Sequence, residues 1–413
     1  MGAIYSSAEV TLVAAAGTNS AYGLPGVPSD RVSCGHDVTI GRLRFVTDLA
    51  PVSEEIHQSV WSSRAWTFQE GYVSKRRLYF TDSRLFYTCD KESYCDAETD
   101  PHISWSNSLG PLHLSLPVKG GGMDVASDIL TEYTRRKLTF DSDALNGIVG
   151  VLNTLSKAES PIFHTWGVTF GGTPLAISLQ WLHLSPCSRR RASFPSWSPL
   201  GWEGVADYSH YPPLVISPSF QVDVWNKSKF IQLSKVKQDL HQQISVERVE
   251  KSRYLKITAK LGSVEVRYFS LSELLSTDKS TFEVLHYPSR LRAGFHLPVS
   301  AGKDAKVYAG ILPYWDSEPD LASEMIRVPC ALIPECGGAR SMAVIMLRNH
   351  GTHYERIGLI RYLRTYTGEG SINVKDINGA VTTENVLKYS DSYSDEEVAG
   401  DFNNPEMQTF LLG

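Results

Sequence analysis

The sequence predicts an α+β protein, in which a partial α/β doubly wound sheet is followed by a helical segment and a β-rich C-terminal region. Val10 to Ala15 is a short apolar run, typical of a strand that is buried on both faces of a parallel sheet. Residues 126–152 carry apolar side chains at helical spacing. From about Pro212 onward, alternating and β-branched runs predominate, which favours strands.

The N-terminal region alternates short apolar segments with a loop rich in Gly, Pro, Ser and Asn. Its periodicity and turn residues predict five segments in order. They are the last turns of a helix at Ile4–Glu9, the strand at Val10–Ala15, a loop at Gly17–Ser33, a strand at Thr39–Leu49 and a helix at Pro51–Ser59.

One amphipathic helix and a β-hairpin are predicted to follow. The buried stripe of the helix recurs at i, i+4, i+7 and i+11 and consists of Trp61, Ala65, Phe68 and Tyr72. Trp66 and Glu70, four positions apart, share a second face. Two β-rich runs, Arg77 to Thr81 and Arg84 to Cys89, flank turn residues and predict the hairpin.

The rest of the chain divides by composition. A polar loop at 89–122 suggests a boundary, and two helices at Ala126–Tyr133 and Leu145–Leu152 form a predicted helical hairpin. Thr173–Leu184 is helical by length, and the last 25 residues suggest a loose acidic tail. The predicted domains are 1–115, 116–205, 206–390 and the tail 391–413.

The predicted strands of the C-terminal region are bounded by turn residues, and a hairpin is expected around residues 349–353. They are Tyr254–Ala259, Ser263–Phe269, Lys306–Ile311, Met342–Arg348 and Tyr354–Leu363.

Composition narrows the function classes. The formal net charge of -5 gives no reason to expect nucleic-acid binding. Six scattered cysteines, without a C-x-x-C pair, favour a reducing compartment. No apolar run is long enough to span a membrane, and no metal-binding constellation is visible, since Cys34-x-His36 and His350-x-x-His353 stand alone. We therefore expect a cytoplasmic protein without a membrane or nucleic-acid partner.

The segment RAWTFQE, Arg64 to Glu70, followed by SKRRLYFT, Ser74 to Thr81, resembles the closing motif of the fungal heterokaryon-incompatibility (HET) domain. That motif typically reads R-x-W-T-x-Q-E and then S-x-R-x-L-x-F-T. Three further segments, Met1–Val27, Tyr133–Gly150 and Phe194–Trp202 (FPSWSPLGW), are similar to family segments in the family's order.

The resemblance implies a role in fungal non-self recognition and cell-death triggering, through protein partners or self-association and without a cofactor. The family's two opening motifs are not found, so an N-terminally truncated HET domain is expected. The motif residues Arg64, Trp66 and Gln69, together with Trp197 and Trp202 of the second box, are candidate binding residues. The alternative for each is a structural role, a helix-surface Arg beside a core Trp or a buried, Pro-rigidified connection.

Glu70 carries the sharpest functional hypothesis. The HET domain is thought to be distantly related to Toll-receptor-type (TIR) domains, in which a helical glutamate cleaves the glycosidic bond of NAD. The Trp66-to-Glu70 spacing is similar to that motif, so the alternative function is a TIR-like NAD glycohydrolase with NAD as substrate. A structural Glu70 would instead pair with Arg64, Arg76 or Arg77.

Overall fold

A computed structural model describes residues 2–27, 37–46, 51–96, 123–171, 175–183, 189–208, 215–216, 219–233, 241–242, 244, 248–267, 295–296, 298–301, 305–308, 313–316, 325–336, 342–360, 366–375, 381–389 and 406–413. The chain divides into two compact units, Met1–Phe163 and His164–Gly413. Helices and strands are mixed along the chain, so the α+β expectation is confirmed.

Unit 1 alternates short helices and strands. Its helices are α1 (Gly2–Ser7), α2 (Val52–Gln58), α3 (Val60–Ser63), α4 (Ala65–Val73), α5 (Met123–Thr134) and α6 (Asp143–Leu155). Its strands are β1 (Thr11–Ala14), β2 (Asp37–Ile40), β3 (Leu43–Val46), β4 (Arg76–Phe80), β5 (Leu85–Cys89) and β6 (Ser93–Cys95).

A sheet with the order β1-β4-β5-β6 organises the described part of unit 1. Strands β1 and β4 are parallel, with Thr11 opposite Arg77 and Ala14 opposite Phe80, and helices α2 to α4 lie between them in the chain. The antiparallel hairpin of β4 and β5 is the predicted one, with Asp82 and Ser83 in the turn. This arrangement is one βαβ unit extended by a hairpin.

The prediction that β1 is buried on both faces is wrong. Val13 is 1% exposed and packs in a core formed with Val52 and Ile56 of α2 and Tyr79 of β4. Leu12, whose side chain points to the other face, is 57% exposed. The apolar run therefore reflects one core-facing side chain and one exposed face rather than a strand enclosed by helices.

Two other predictions for unit 1 need correction. The single strand at Thr39–Leu49 is instead an antiparallel hairpin of β2 and β3, because Gly41 turns the chain with a positive φ of 64°. The polar loop proposed as a boundary lies mostly outside the described residues, since residues 97–122 are not among them.

Unit 2 is built mainly from strands. Its elements are β7 (Phe163–Thr165, which begins at the boundary), β8 (Val168–Phe170), α7 (Leu175–Ser178), β9 (Val215–Ile216), β10 (Gln221–Asn226), β11 (Lys229–Gln232), β12 (Leu255–Arg267), β13 (Phe295–His296), β14 (Pro298–Ala301), β15 (Ala305–Tyr308), β16 (Pro313–Trp315), β17 (Met325–Cys336), β18 (Met342–Asn349), β19 (Tyr354–Ile360), β20 (Tyr366–Lys375), β21 (Val381–Tyr389) and β22 (Glu406–Leu412). Of the predicted Thr173–Leu184 helix only α7 is helical, while Thr173 and Leu184 lie outside the described residues.

The main sheet of unit 2 closes on itself. Strand β12 pairs with β22 along its first half and with β17 along its second half, and β22, β19, β18 and β17 are neighbours in that order. The two predicted strands at 254–269 are thus one long strand that changes partner at Leu261, which pairs with both neighbours. The adjacent Gly262 has no side chain, which suits a position where a strand changes its partner.

The predicted loose tail is also partly wrong. Residues 406–412 form β22, which pairs with β12 from Leu255–Leu412 to Leu261–Glu406. Phe410 and Leu412 are buried, and these two apolar side chains hold the strand in the sheet. The acidic residues 390–405 that precede it lie outside the described residues.

Candidate functional site

The predicted helix through the RAWTFQE motif is interrupted at Arg64. This residue has an extended backbone (φ -92°, ψ 135°), and it separates α3 from α4. The amide of Ala65 donates to the carbonyl of Lys137 at 3.0 Å, and the amide of Lys137 donates to the carbonyl of Ser63 at 2.7 Å. The helix breaks because the segment after α5 takes over these backbone hydrogen bonds.

Thr67, which belongs to the same motif, stabilises the helix break at Arg64. Its hydroxyl lies 2.5 Å from the carbonyl oxygen of Trp61 and 2.7 Å from that of Arg64. The buried guanidinium of Arg136 also donates towards the Arg64 carbonyl at 3.4 Å and the Thr67 hydroxyl at 3.3 Å. The carbonyl groups of Trp61 and Arg64, which lie at the break, therefore accept hydrogen bonds from side chains.

Trp66 is partly buried and lies against the start of α6. Its indole N–H donates to the Asp143 carboxylate at 3.1 Å. The carboxylate is in the first turn of α6, where a negative charge is favoured by the helix dipole. Trp66 thus joins α4 to α6.

We predict that Trp66→Ala lowers the free energy of unfolding by about 1–3 kcal/mol, less than for a fully buried aromatic residue. The loss combines part of the ring burial with one hydrogen bond. Urea titration measures it, and Trp66→Phe, which keeps a ring but not the N–H, separates the two terms. A cost at or above that of a fully buried Trp would contradict the partial burial.

Gln69 is almost completely buried, with 1% of its surface exposed. Its side-chain oxygen lies against Gly150 of α6, where an added Cβ would come within 2.5 Å of it. Gly150 and Gly2 of α1 are also close, since a Cβ on Gly150 would lie 3.5 Å from the Gly2 Cα. Gln69 therefore occupies the space where α4, α6 and α1 approach one another closely.

Glu70 is half-buried and faces Tyr5 of α1. Burial raises the pKa of its carboxyl, while a hydrogen bond from Tyr5 and the attraction of Arg64 act in the opposite direction. The other two proposed partners are engaged elsewhere, since Arg76 pairs with Glu9 at 3.2 Å and Arg77 donates to the Gly71 carbonyl at 2.9 Å. Of the three arginines proposed as partners, Arg64 is thus the one that acts on Glu70.

The position of Glu70 relative to the parallel strands is fixed by Ser74. The Ser74 hydroxyl donates to the Glu70 carbonyl at 2.5 Å and lies 2.7 Å from the hydroxyl of Thr11, the first residue of β1. Glu70 therefore lies near the amino end of the parallel strand β1. Ligand pockets of doubly wound sheets lie at the opposite edge, outside the carboxyl ends of the strands.

At that opposite edge, several polar groups already pair with one another. The Tyr22 hydroxyl donates to Asp82 at 2.5 Å, and the buried Arg84 guanidinium lies 2.5 Å from Glu55. The Ser83 hydroxyl donates to the same Glu55 carboxylate at 2.6 Å. These contacts tie the loop after β1 and helix α2 to the β4–β5 turn.

Trp197 and Trp202 of the second box are buried in unit 2, with 0% and 3% of their surfaces exposed. The Trp197 indole donates to the Arg253 carbonyl at 3.0 Å, and that of Trp202 donates to the Ser196 carbonyl at 2.8 Å. Both rings therefore lie in the core of unit 2 and hold the Phe194–Trp202 segment in place, and they do not line an open aromatic groove.

Unit 2 contains a charged cluster that the sequence pattern did not indicate. The side chains of His183, Asp316 and Arg356 are all 0% exposed. The Arg356 Nε lies 2.9 Å from the Asp316 carboxylate, and the His183 Nε2 lies 3.9 Å from its other oxygen. The one local signal is Arg356 itself, a charged residue directly before the apolar run Ile357–Ile360 of β19.

The histidine pair of the β18–β19 turn has a carboxylate beside it that the sequence motif did not indicate. The His350 Nε2 lies 3.2 Å from Glu355, and the rings of His350 and His353 are stacked at 5.2 Å. Among the residues that the structure describes, no group of three or more His, Cys, Asp or Glu side chains could hold a metal ion. Cys34 and His36 lie outside those residues.

No helix in the described part of the chain has both the length and the apolar composition needed to cross a membrane. Residues 1–70 match the family model described as heterokaryon incompatibility protein (HET). The resemblance to the HET family is thereby confirmed for this part of the chain. No curated protein and no solved structure matches the sequence.

Proposed function

We propose that this chain, whose residues 1–70 match the HET family, acts in fungal non-self recognition as a signalling and interaction module that triggers cell death without chemistry of its own. It would act in the cytoplasm, through protein partners or by self-association, and without a cofactor. Nucleic acid and membrane are not among its proposed partners, which agrees with the net charge of -5.

The observation that carries this proposal is the position of Glu70. Its carbonyl is linked through Ser74 to the first residue of β1, at the amino edge of the parallel strands. A catalytic carboxylate in a doubly wound nucleotide site would be expected near the carboxyl edge. There, Tyr22, Asp82 and the Glu55–Arg84 pair hold the loops together instead.

The other motif residues support a structural role for the RAWTFQE segment. Trp66 binds Asp143, Gln69 fills the approach to Gly150, and Thr67 completes the broken turn at Arg64. Each of these side chains joins α4 to a helix or loop of the same unit. The motif thus serves to assemble the helices, which leaves the outer surface of the unit for partners.

The alternative is a TIR-like NAD glycohydrolase that uses Glu70. One observation favours it: the carboxyl is half-buried, its pKa is raised by burial, and it accepts a hydrogen bond from Tyr5. Perturbed carboxyl groups of this kind are common at catalytic sites, although structural networks produce them too.

We predict that the purified chain does not hydrolyse NAD and that Glu70→Gln does not change this result. Gln is nearly isosteric with Glu, and it keeps an acceptor for the Tyr5 hydroxyl while removing the charge. Since burial disfavours the charged carboxylate, we expect Glu70→Gln to change the free energy of unfolding by about 1 kcal/mol or less. The measurements are nicotinamide release by chromatography and urea titration.

Expression in a filamentous fungus tests the signalling role. The wild type and Glu70→Gln should arrest growth equally, and Glu9→Gln, at a glutamate whose side chain is 95% exposed, is the matched control. Gly150→Val, which forces a side chain into Gln69, should abolish arrest because α4 and α6 can no longer pack. Absence of arrest by soluble wild-type protein would contradict the module. NAD cleavage that is lost in Glu70→Gln would establish the alternative.

A further inference from the structure

The buried cluster of His183, Asp316 and Arg356 joins segments of unit 2 that are far apart in sequence. The Arg356 guanidinium donates to the Leu179 carbonyl at 2.6 Å and to the Trp181 carbonyl at 2.5 Å, in addition to Asp316. It also lies 3.5 Å above the centre of the Trp181 ring. Arg356 thus fastens the segment after α7 to β19.

Asp316 is held in place by hydrogen bonds of both its backbone and its side chain. Its backbone amide donates to the Ile357 carbonyl at 2.9 Å, and one carboxylate oxygen accepts from Arg356. The other oxygen has no hydrogen-bond partner among the described residues and lies 3.9 Å from the His183 Nε2, which has none either. Two buried polar atoms therefore face each other without a bond.

The tautomer of His183 follows from its second ring nitrogen. Nδ1 lies 2.8 Å from the Val205 carbonyl oxygen, and a carbonyl oxygen can only accept, so Nδ1 carries a hydrogen. In the neutral ring, Nε2 is then an acceptor that faces a carboxylate oxygen. A proton taken up at Nε2 would turn this contact into a hydrogen bond, but it would also add a charge.

The charges around the ring determine the consequence of that proton. The groups concerned are Asp316 and Arg356 within the cluster, Arg190 and Glu355 beside it, and Asp207, whose backbone pairs with Leu182. Among the three side chains with no exposure to water, Arg356 balances Asp316 while His183 is neutral. Protonation of His183 therefore leaves one net positive charge within this buried cluster, which is costly.

We propose that His183, Asp316 and Arg356 form an acid-sensitive clasp, which is closed while His183 is neutral and opens when His183 takes up a proton. The clasp holds the 179–183 segment against Asp316 and β19. Its opening would free the Leu179 and Trp181 carbonyls from Arg356, so these two segments would lose protection together.

The direction of the pH dependence follows from the folded and unfolded states. Burial, reinforced by Arg356, lowers the pKa of His183 below its ordinary value, although Asp316 opposes the shift. The closed state therefore binds fewer protons than the open state. Its stability is complete above a pH of about 6.5, and the closing constant falls up to tenfold for each pH unit below that value.

Hydrogen exchange of the full chain, followed by mass spectrometry at pH 7, 6 and 5, tests the clasp. After correction for intrinsic exchange rates, peptides that cover residues 179–183 and 354–357 should lose protection between pH 6 and pH 5, by up to about tenfold. His183→Gln offers Asp316 an uncharged N–H donor and should keep its protection at pH 5. His183→Asn, which offers the Val205 carbonyl a donor instead, should also remove the pH dependence.

A second buried histidine supplies the matched control. Burial and the nearby Arg248 lower the pKa of His164 to about 3, so it also resists protonation, but it is not part of the cluster. His164→Gln should leave the loss of protection in the two clasp segments intact. The clasp is overturned if wild type shows no loss, if both His183 variants retain it, or if His164→Gln alone removes it. Should neither His183 variant fold, the wild-type series still decides.

Discussion

Replacement of Arg356 by Met is expected to lower the free energy of unfolding of unit 2 by about 3–5 kcal/mol, the cost of breaking a buried ion pair by removing one partner. Arg356 is 0% exposed and donates to the Asp316 carboxylate and to the carbonyls of Leu179 and Trp181. Met fills a similar volume but leaves a buried carboxylate and two carbonyls without their donors. The measurement is urea unfolding followed by tryptophan fluorescence.

Arg348 supplies the control for this prediction. It lies on the preceding strand, its side chain is 57% exposed, and it pairs with Glu355 at 3.4 Å. An exposed pair contributes about 0–1 kcal/mol, so Arg348→Met should have little effect. If Arg356→Met costs no more than Arg348→Met, the cluster is not a structural anchor.

A double variant separates the pair from the packing around it. Asp316→Leu removes the carboxylate that Arg356→Met leaves without a partner. We therefore expect the double variant to lose less stability than the sum of the two single changes, since an apolar pair of similar volume can replace a buried ion pair. A strictly additive result would show that Arg356 acts mainly through the two backbone carbonyls.

The sequence was informative where the determinants of structure are local. Of the predicted stripe, Ala65, Phe68 and Tyr72 are buried, while Trp61 lies on α3 and is partly buried. The β4–β5 hairpin follows from the two polar turn residues between two β-rich runs. In both cases the pattern lies within a few residues of the element that it specifies. The burial of Trp197 was also among the alternatives, because flanking prolines restrict the chain.

The sequence was not informative where distant residues compete for the backbone. The helix was predicted to be continuous at Arg64, but the backbone of Lys137, far along the chain, takes the hydrogen bond that would have continued it. Likewise, the sequence predicts two separate strands, Tyr254–Ala259 and Ser263–Phe269, whereas one strand runs through both and changes its partner from β22 to β17. Hydrophobic periodicity cannot show which distant backbone segment will pair with a given helix end or strand.

The charged cluster of unit 2 illustrates the same limit for sites. Arg356 and Asp316 are 40 positions apart, and Arg356 and Leu179 are 177 apart. No spacing in the sequence links them, so only the topology of the sheet brings them together. The candidate Glu70 was located by its motif, but the edge of the sheet on which it lies depends on Ser74 and Thr11.

Phe68→Ala is expected to have the largest effect in unit 1, about 3–5 kcal/mol in the free energy of unfolding. Phe68 is 1% exposed, and its ring centre lies 5.5 Å from that of Tyr133 of α5. The Arg136 guanidinium lies 4.8 Å from the ring, and burial lowers its pKa to about 10. Removing the ring leaves a cavity and takes away the aromatic face that a buried cation contacts.

The control is Phe140→Ala, at a phenylalanine of the same unit that is 65% exposed and should change the free energy of unfolding by less than about 0.5 kcal/mol. Thermal or urea unfolding followed by circular dichroism compares the two variants at equal concentration. Because α4 carries the RAWTFQE segment from Ala65 onward, Phe68→Ala should also abolish growth arrest, whereas Phe140→Ala should not. A loss below about 1 kcal/mol for Phe68→Ala would mean that the α4–α5 contact does not hold the unit together.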